Sequence, residues 1–325
     1  MRRRQAVSLL LVICAAPLAF AQPARKATVG VLIPYADSDA ESKRRRGVLA
    51  KALETLGWRE GQNLRLEVRY GVGDEQLRRS TRELLALQPD VMLVQSNQAL
   101  AVVRQEKVAL PIVFVAVSDP VGSGFVATLA RPGGNTTGFT NFAPEMGGKW
   151  LQVLKELTPR LERVGLLLNP GIAANRELAR AAEAAAAPLG VSVKQITAGD
   201  GAALAQAIAD LAGEGRAGII ALPNPTNTNN QKHIIEAAER HRVPAIYPFP
   251  YYARNGGLAA YGIDITEMFR LAGPYVDRIL RGANPGDLPI QQPTKYELVI
   301  NQRTARALGI AVPASLRARV DEVIE

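Results

Sequence analysis

Ala27–Ile33 is an almost unbroken apolar run ended by Pro34, and after it short β-forming runs alternate with amphipathic helical stretches. A strand that is apolar at every position is buried on both faces, as in a parallel sheet covered by helices. Parallel neighbours need crossover connections, so this alternation constrains the fold more than any other feature of the chain. Ser38-Asp39-Ala40-Glu41 reads as a capping box. It opens a helix with the stripe Val48, Leu49, Ala52, Leu53 and Leu56, which Gly57 stops. A strand over 63–70, a helix over 75–87, a strand over 90–95, a helix over 97–106 and a strand over 112–117 follow.

A Gly/Pro/Thr-rich stretch, 131–139, separates this unit from a second one. There the pattern predicts strands over 163–168, 191–196, 218–222, 244–247 and 257–261. Helices over 173–187, 202–211 and 230–241 are expected between them. The segment 264–325 has helical spacing at Ile265, Met268, Phe269 and Ala272, interrupted at Gly273-Pro274, then a strand over 296–301 and a short helix. It is too short for a third domain and is expected to complete the first two. The fold class is therefore α/β, with two doubly wound parallel-sheet lobes. A cleft lies between the carboxyl ends of their strands, where open sheets bind ligands.

The first residues read as an address. Arg2, Arg3 and Arg4 precede an apolar run, 6–20, and the small-x-small site Ala19-Phe20-Ala21. That is the pattern of a secretory signal peptide over residues 1–21, cleaved after Ala21. Cleavage also removes Cys14, the single cysteine, so the exported chain has no thiol and no disulfide. Export argues against nucleic acid as a partner despite a formal charge of +9.

Little of the inventory suits catalysis. His233 and His241 lie two turns apart on one helix without a carboxylate at ligand spacing, and read as a solvated face. Gly122-Ser123-Gly124-Phe125-Val126-Ala127 matches a dinucleotide fingerprint only outside the first βα turn, and reads as a plain turn. No serine sits in a nucleophile elbow. Lys43 to Arg46 reads as a solvated helix face with one aliphatic stem packed inward.

The loops after strands carry more. Ser96 and Asn97 stand where a strand turns into a helix; free N–H groups, a hydroxyl and an amide there suit a carboxylate or phosphate, or simply cap the helix. Ser118 and Asp119 follow another strand, and Asp119 offers a partner to a ligand ammonium or forms a turn before Pro120. Tyr35, Phe139, Asn141, Asn169, Asn224, Thr226, Tyr247 and Asp264 also follow strands. Tyr247, Tyr251, Tyr252 and Tyr261 concentrate aromatic surface in a chain with only 5% aromatics, and read as a stacking wall or as packing.

At these loops the sequence resembles the tryptophan-binding-like group of ABC-transporter substrate-binding proteins, which have the type I periplasmic-binding fold. The resemblance is carried by Gly57-Trp58-Arg59-Glu60-Gly61-Gln62-Asn63 and by Ser118-Asp119-Pro120-Val121. It continues through Leu129-Ala130-Arg131-Pro132-Gly133-Gly134-Asn135-Thr136-Thr137-Gly138, then 282–289 and 295–309. It implies a periplasmic receptor with no catalysis, no cofactor and no metal. Such a receptor is a monomer that hands a small ligand to an ABC permease and its ATPase. It also implies three crossovers between a first lobe, 28–139 plus 263–286, and a second, 140–262 plus 287–325.

The ligand expected is an amino acid or a related carboxylate, aromatic ones included. Ser96 and Asn97 would receive its carboxylate, Asp119 or Asp264 its ammonium, and Asn224 and Tyr247 would close from the second lobe. Gln95-Ser96-Asn97 departs from the Gly and Thr common in the group at that loop. Two other readings stand beside this one: a ligand-sensing receptor for a membrane signalling partner, and an exported α/β hydrolase.

Overall fold

The computed structural model describes residues 26–325. The signal peptide expected over residues 1–21 and its expected cleavage after Ala21 lie outside them. The first sheet has five strands in the order β2-β1-β3-β4-β5. They are β1 (Ala27–Ile33), β2 (Leu64–Tyr70), β3 (Val91–Gln95), β4 (Ile112–Val117) and β5 (Thr136–Thr140), all parallel. Every residue of β3, β4 and β5 is buried, as two helix-covered faces require.

The second sheet has seven strands in the order β12-β11-β10-β9-β8-β6-β7. They are β6 (Arg163–Leu167), β7 (Ser192–Ile196), β8 (Ala217–Ala221), β9 (Ala245–Tyr247), β10 (Ala259–Gly262), β11 (Glu297–Asn301) and β12 (Glu322–Ile324). Only β10 and β11 pair antiparallel. Both sheets show the strand order 2-1-3-4 of a doubly wound unit, so each has a switch point at the end of its first strand.

The helices follow the strands, and two helices and one strand differ from their sequence expectation. Helix α1 (Ala40–Thr55) is capped by Asp39 and not Ser38: the Asp39 carboxylate accepts from the Ser42 N–H at 2.7 Å and from its hydroxyl. Ser38 is displaced because Asp39, one residue later, sits in the extended conformation a cap requires. Helix α10 (Ile265–Leu280) runs unbroken through Gly273-Pro274. Its buried stripe, including Met268, Phe269, Ala272, Val276 and Ile279, packs against the first sheet and α1 and offsets the bond Pro274 cannot make. The 131–139 stretch is no linker, since it contains β5, the edge of the first sheet. Its Gly138 is required there: a Cβ would overlap the Phe114 carbonyl on the neighbouring strand.

Chain crossings between the sheets fall after β5, after β10 and before β11. At the third, residues past 286 still hold the first sheet. The Ile290 N–H donates to the Leu129 carbonyl, the Gln291 N–H to Gly138 and the Thr140 N–H to Gln291. Asn141 fastens the first crossing. It accepts from the Ser118 hydroxyl at 2.6 Å and from the Phe142 N–H, and donates to the Ala116 carbonyl; its own carbonyl accepts from the Tyr296 hydroxyl.

Candidate ligand-binding site

The carboxyl ends of the two sets of strands face each other, and one cationic side chain is enclosed there. Three further elements supply this region: α3 (Asn97–Gln105) after β3, α7 (Pro225–Asn229) after β8, and α9 (Pro250–Arg254) after β9. Arg45, in the second turn of α1, is 1% exposed. Its guanidinium lies 5.7 Å from the ring centroid of Tyr35, which follows β1, and 5.5 Å from that of Tyr251, on α9. A tyrosine from each sheet thus flanks one guanidinium. Glu41 stands 4.0 Å from the Nη2 of Arg45, while Nε and Nη1 have no hydrogen-bond partner.

Other unpartnered polar atoms share this region. The Gln95 side-chain oxygen and the hydroxyls of Tyr247 and Tyr251 are buried without a partner. Gln95 donates from its nitrogen to the Tyr35 hydroxyl at 3.4 Å, and the Tyr252 hydroxyl donates to Thr228 on α7 at 3.2 Å. Buried polar groups are normally satisfied, so such a cluster marks a place where another molecule completes the bonding. The two sides are also tied directly: the Asn229 amide donates to the Pro34 carbonyl at 3.1 Å.

Aromatic packing builds the far wall. Tyr247 stacks on Tyr252 at 4.9 Å, Tyr251 contacts Tyr252 at 5.0 Å, and Phe249 stacks on Tyr251 at 5.7 Å. Tyr261 lies outside this group and pairs with Tyr296 instead. Burial pushes the phenols of Tyr247, Tyr251 and Tyr252 well up. It raises Tyr35 too, against the opposing field of Arg45 and a hydrogen bond with Thr228. All four therefore stay neutral at physiological pH and able to donate.

The other residues expected at the site have internal duties. The Ser96 hydroxyl caps α3, accepting from the Ala99 N–H at 3.3 Å. The Asn97 amide clamps the backbone of Ser118, accepting from its N–H at 2.9 Å and donating to its carbonyl at 2.7 Å. Asp119 folds back on its own turn and accepts from the Gly122 N–H at 2.9 Å. Asn224 caps α7 and donates to Asn175. Phe139 and Asp264 are not with Arg45. They line a groove of about 570 Å³ beside α10 and the crossings, where Phe139 packs on Tyr275 and Asp264 caps α10. The structure thus brings Tyr35 beside Arg45 and sets Tyr247 one layer further back, stacked on Tyr252.

Sequence reasoning missed Arg45 and Gln95. The basic run 43–46 is not wholly solvated, because the entire Arg45 side chain, guanidinium included, turns inward. A signal was present: Arg45 is four residues before Leu49 and eight before Leu53, in line with the buried stripe of α1.

Two parallel α/β units meeting at their strand ends over a shared polar cluster define the periplasmic-binding-protein type I class, a two-lobed receptor for a small molecule. A family model described as ABC transporter substrate binding protein matches residues 28–324, and the chain belongs to that family. Its members are extracytoplasmic binding proteins and not enzymes, which removes the hydrolase reading.

Among relatives, the chain is 25% identical over 272 residues to a tyrosine-binding protein of Clostridioides difficile (strain R20291), covering 82% of this chain and 77% of that one. It is similar to a Vibrio cholerae conserved domain protein structure, with TM-score 0.85 and 28% identity, covering 92% of this chain and all of that one. A Streptococcus pneumonia ABC domain in complex with L-Trp matches with TM-score 0.83 and 22% identity, again over 92% of this chain and all of that one.

Proposed function

We propose that this protein is the periplasmic receptor of an ABC uptake system, exported by residues 1–21 and cleaved after Ala21. It binds a small carboxylate between its lobes and delivers it, as a monomer, to a membrane permease and its ATPase. The lobes are 28–139 with 263–286 and 140–262 with 287–325. The hydrogen bonds of 287–291 to β5 and its neighbours support moving the last boundary to the far side of Gln291. One observation carries the reading: Arg45, buried, presents two unpartnered nitrogens, Nε and Nη1, where a tyrosine from each lobe meets it. An anion there would gain charge-assisted hydrogen bonds from a site that closes around it. The printed ligands of the two amino-acid-binding relatives support an amino acid or a close relative of one.

Ser96 and Asn97 then act one step back, Ser96 capping the helix that follows Gln95 and Asn97 holding the Ser118 loop, and Asp119 and Asp264 shape turns. The test is a thermal-shift panel of amino acids, aromatic acids, purines and sugars on the wild type and on Arg45→Gln. A ligand at about 100 times its dissociation constant stabilises by roughly 2.7 kcal/mol, a shift of several degrees. A carboxylate that shifts the wild type and not the variant is the expected result. A response confined to sugars or purines, equal in both proteins, would overturn the reading.

A further inference from the structure

We propose that the site selects an organic anion without an ammonium group, taking a 2-hydroxy or 2-oxo carboxylate in preference to the matching 2-amino acid. The inference rests on the reading of Arg45 as the carboxylate anchor and deepens it. Among the described residues, Arg45 is the single charged side chain that is buried; no Asp or Glu joins it. The acids near these loops are committed elsewhere. Asp39 holds the Ser42 N–H and hydroxyl, Asp119 the Gly122 N–H and Asp264 the Thr266 N–H. Two part-exposed acids face Arg45 from the rim: Asp39, whose field reaches the guanidinium, and Glu41, at the Nη2 side with 27% of its side-chain surface accessible.

The unpartnered atoms are mostly donors. They are two guanidinium nitrogens, Nε and Nη1, the hydroxyls of Tyr247 and Tyr251, and one dedicated acceptor, the side-chain oxygen of Gln95. An amino acid would bring a second cation beside Arg45, met only by neutral acceptors, the Gln95 oxygen and the phenol oxygens, with no buried counter-charge. Enclosing an ammonium so poorly paired is costly. A hydroxyl or keto oxygen at the same place accepts from a tyrosine and needs no counter-charge, and a hydroxyl can also donate to Gln95. Neutral phenols, kept protonated by burial, are suited to that contact.

The experiment is calorimetric titration of the purified protein, unfolded and refolded to remove carried ligand. One probe set is L-tyrosine, 4-hydroxyphenyllactate and 4-hydroxyphenylpyruvate; the other is L-leucine, 2-hydroxyisocaproate and 4-methyl-2-oxopentanoate. The expected result is at least tenfold tighter binding of a hydroxy or oxo acid than of its amino acid. Arg45→Gln should weaken that binding at least thirtyfold and Arg45→Lys less. Far-ultraviolet circular dichroism of both variants establishes that they are folded. An amino acid that binds as tightly as its analogues, and still depends on Arg45, would overturn this selectivity while leaving the anchor intact. Binding indifferent to both Arg45 substitutions, or no binding by either set, would overturn the anchor and the selectivity together.

Discussion

The guanidinium of Arg45, on the helix that follows the first strand of one sheet, stands 5.5 Å from the ring centroid of Tyr251, which belongs to the other sheet. The contact joins the two lobes through a cation and a neutral phenol, so it forms only when their strand ends are together. Tyr251→Phe keeps the ring and removes the unpartnered hydroxyl. It should weaken ligand binding about fivefold to tenfold, the worth of one hydrogen bond of ~1 kcal/mol. Tyr251→Ala removes the ring as well and should weaken it by about a further tenfold, as a desolvated cation–π contact implies. Titration calorimetry on the two variants separates the contributions.

Asn97 is placed to act on the loop and not on the ligand. Its amide satisfies both backbone groups of Ser118, which is 2% exposed, so Asn97→Ala strands a buried donor and a buried acceptor. The expected cost is about 2–3 kcal/mol, read as a drop of ~5 °C or more in melting temperature. Binding measured well below that temperature should change little. Asn97→Asp keeps the acceptor for the Ser118 N–H and should cost less.

The fold was legible because hydrophobic pattern alone determines which strands are buried on both faces, and β1, β3 and β4 advertise that in their sequences. Two elements were hidden by their composition. Strand β5 is Thr-Thr-Gly-Phe-Thr, which reads as a loop until Phe114 is seen to need a glycine beside it. Helix α4 (Met146–Leu157) opens with Gly147-Gly148, which suppresses helical propensity for the sake of close packing. The site was less legible for a different reason. Strand ends name the loops, but not whether a polar side chain points at its own backbone or outward. Ser96, Asp119 and Asn224 took the local bond, as short polar side chains commonly do, and Asn97 turned to the backbone of Ser118 on the neighbouring loop. Arg45 has no such local option, because a guanidinium carries only donors and cannot cap a helix start.

Gly147 shows what the packing of α4 against α5 (Ala173–Ala186) demands. A Cβ there would overlap the Leu178 carbonyl, whereas one on Gly148 would meet the Ala185 methyl at 3.3 Å. Gly147→Ala should therefore destabilise by about 2 kcal/mol, even though alanine is the better helix former by ~1 kcal/mol. Gly148→Ala should stay within about 1 kcal/mol of the wild type, because a contact at 3.3 Å is relieved by a shift of a few tenths of an ångström, whereas the overlap at Gly147 is not. Urea unfolding of the two variants side by side checks the contrast.

Four buried tyrosines give the protein an alkaline limit. Tyr35, Tyr247, Tyr251 and Tyr252 are each raised above the ordinary phenol value, with burial the leading cause, since a phenolate in the core would lose its hydration. In the unfolded chain they ionise near pH 10. The sign follows from proton counting: above that pH the folded state holds protons the unfolded state has released, so stability falls as pH rises. The contribution is fully present below pH ~10 and declines by about 1.4 kcal/mol per pH unit for each of the four that remains protonated in the fold. Urea midpoints should thus show no tyrosine-linked loss from pH 7 to 9 and a steep fall from 10 to 11. Absorbance at about 295 nm reports the same groups directly, through the ultraviolet band of ionised phenol. At pH 11, while the native state persists, about four or more fewer tyrosinates should appear than in guanidinium, since burial also raises Tyr70 and Tyr296. Equal ionisation in the two states would place these hydroxyls in contact with water and remove the buried aromatic wall from the site.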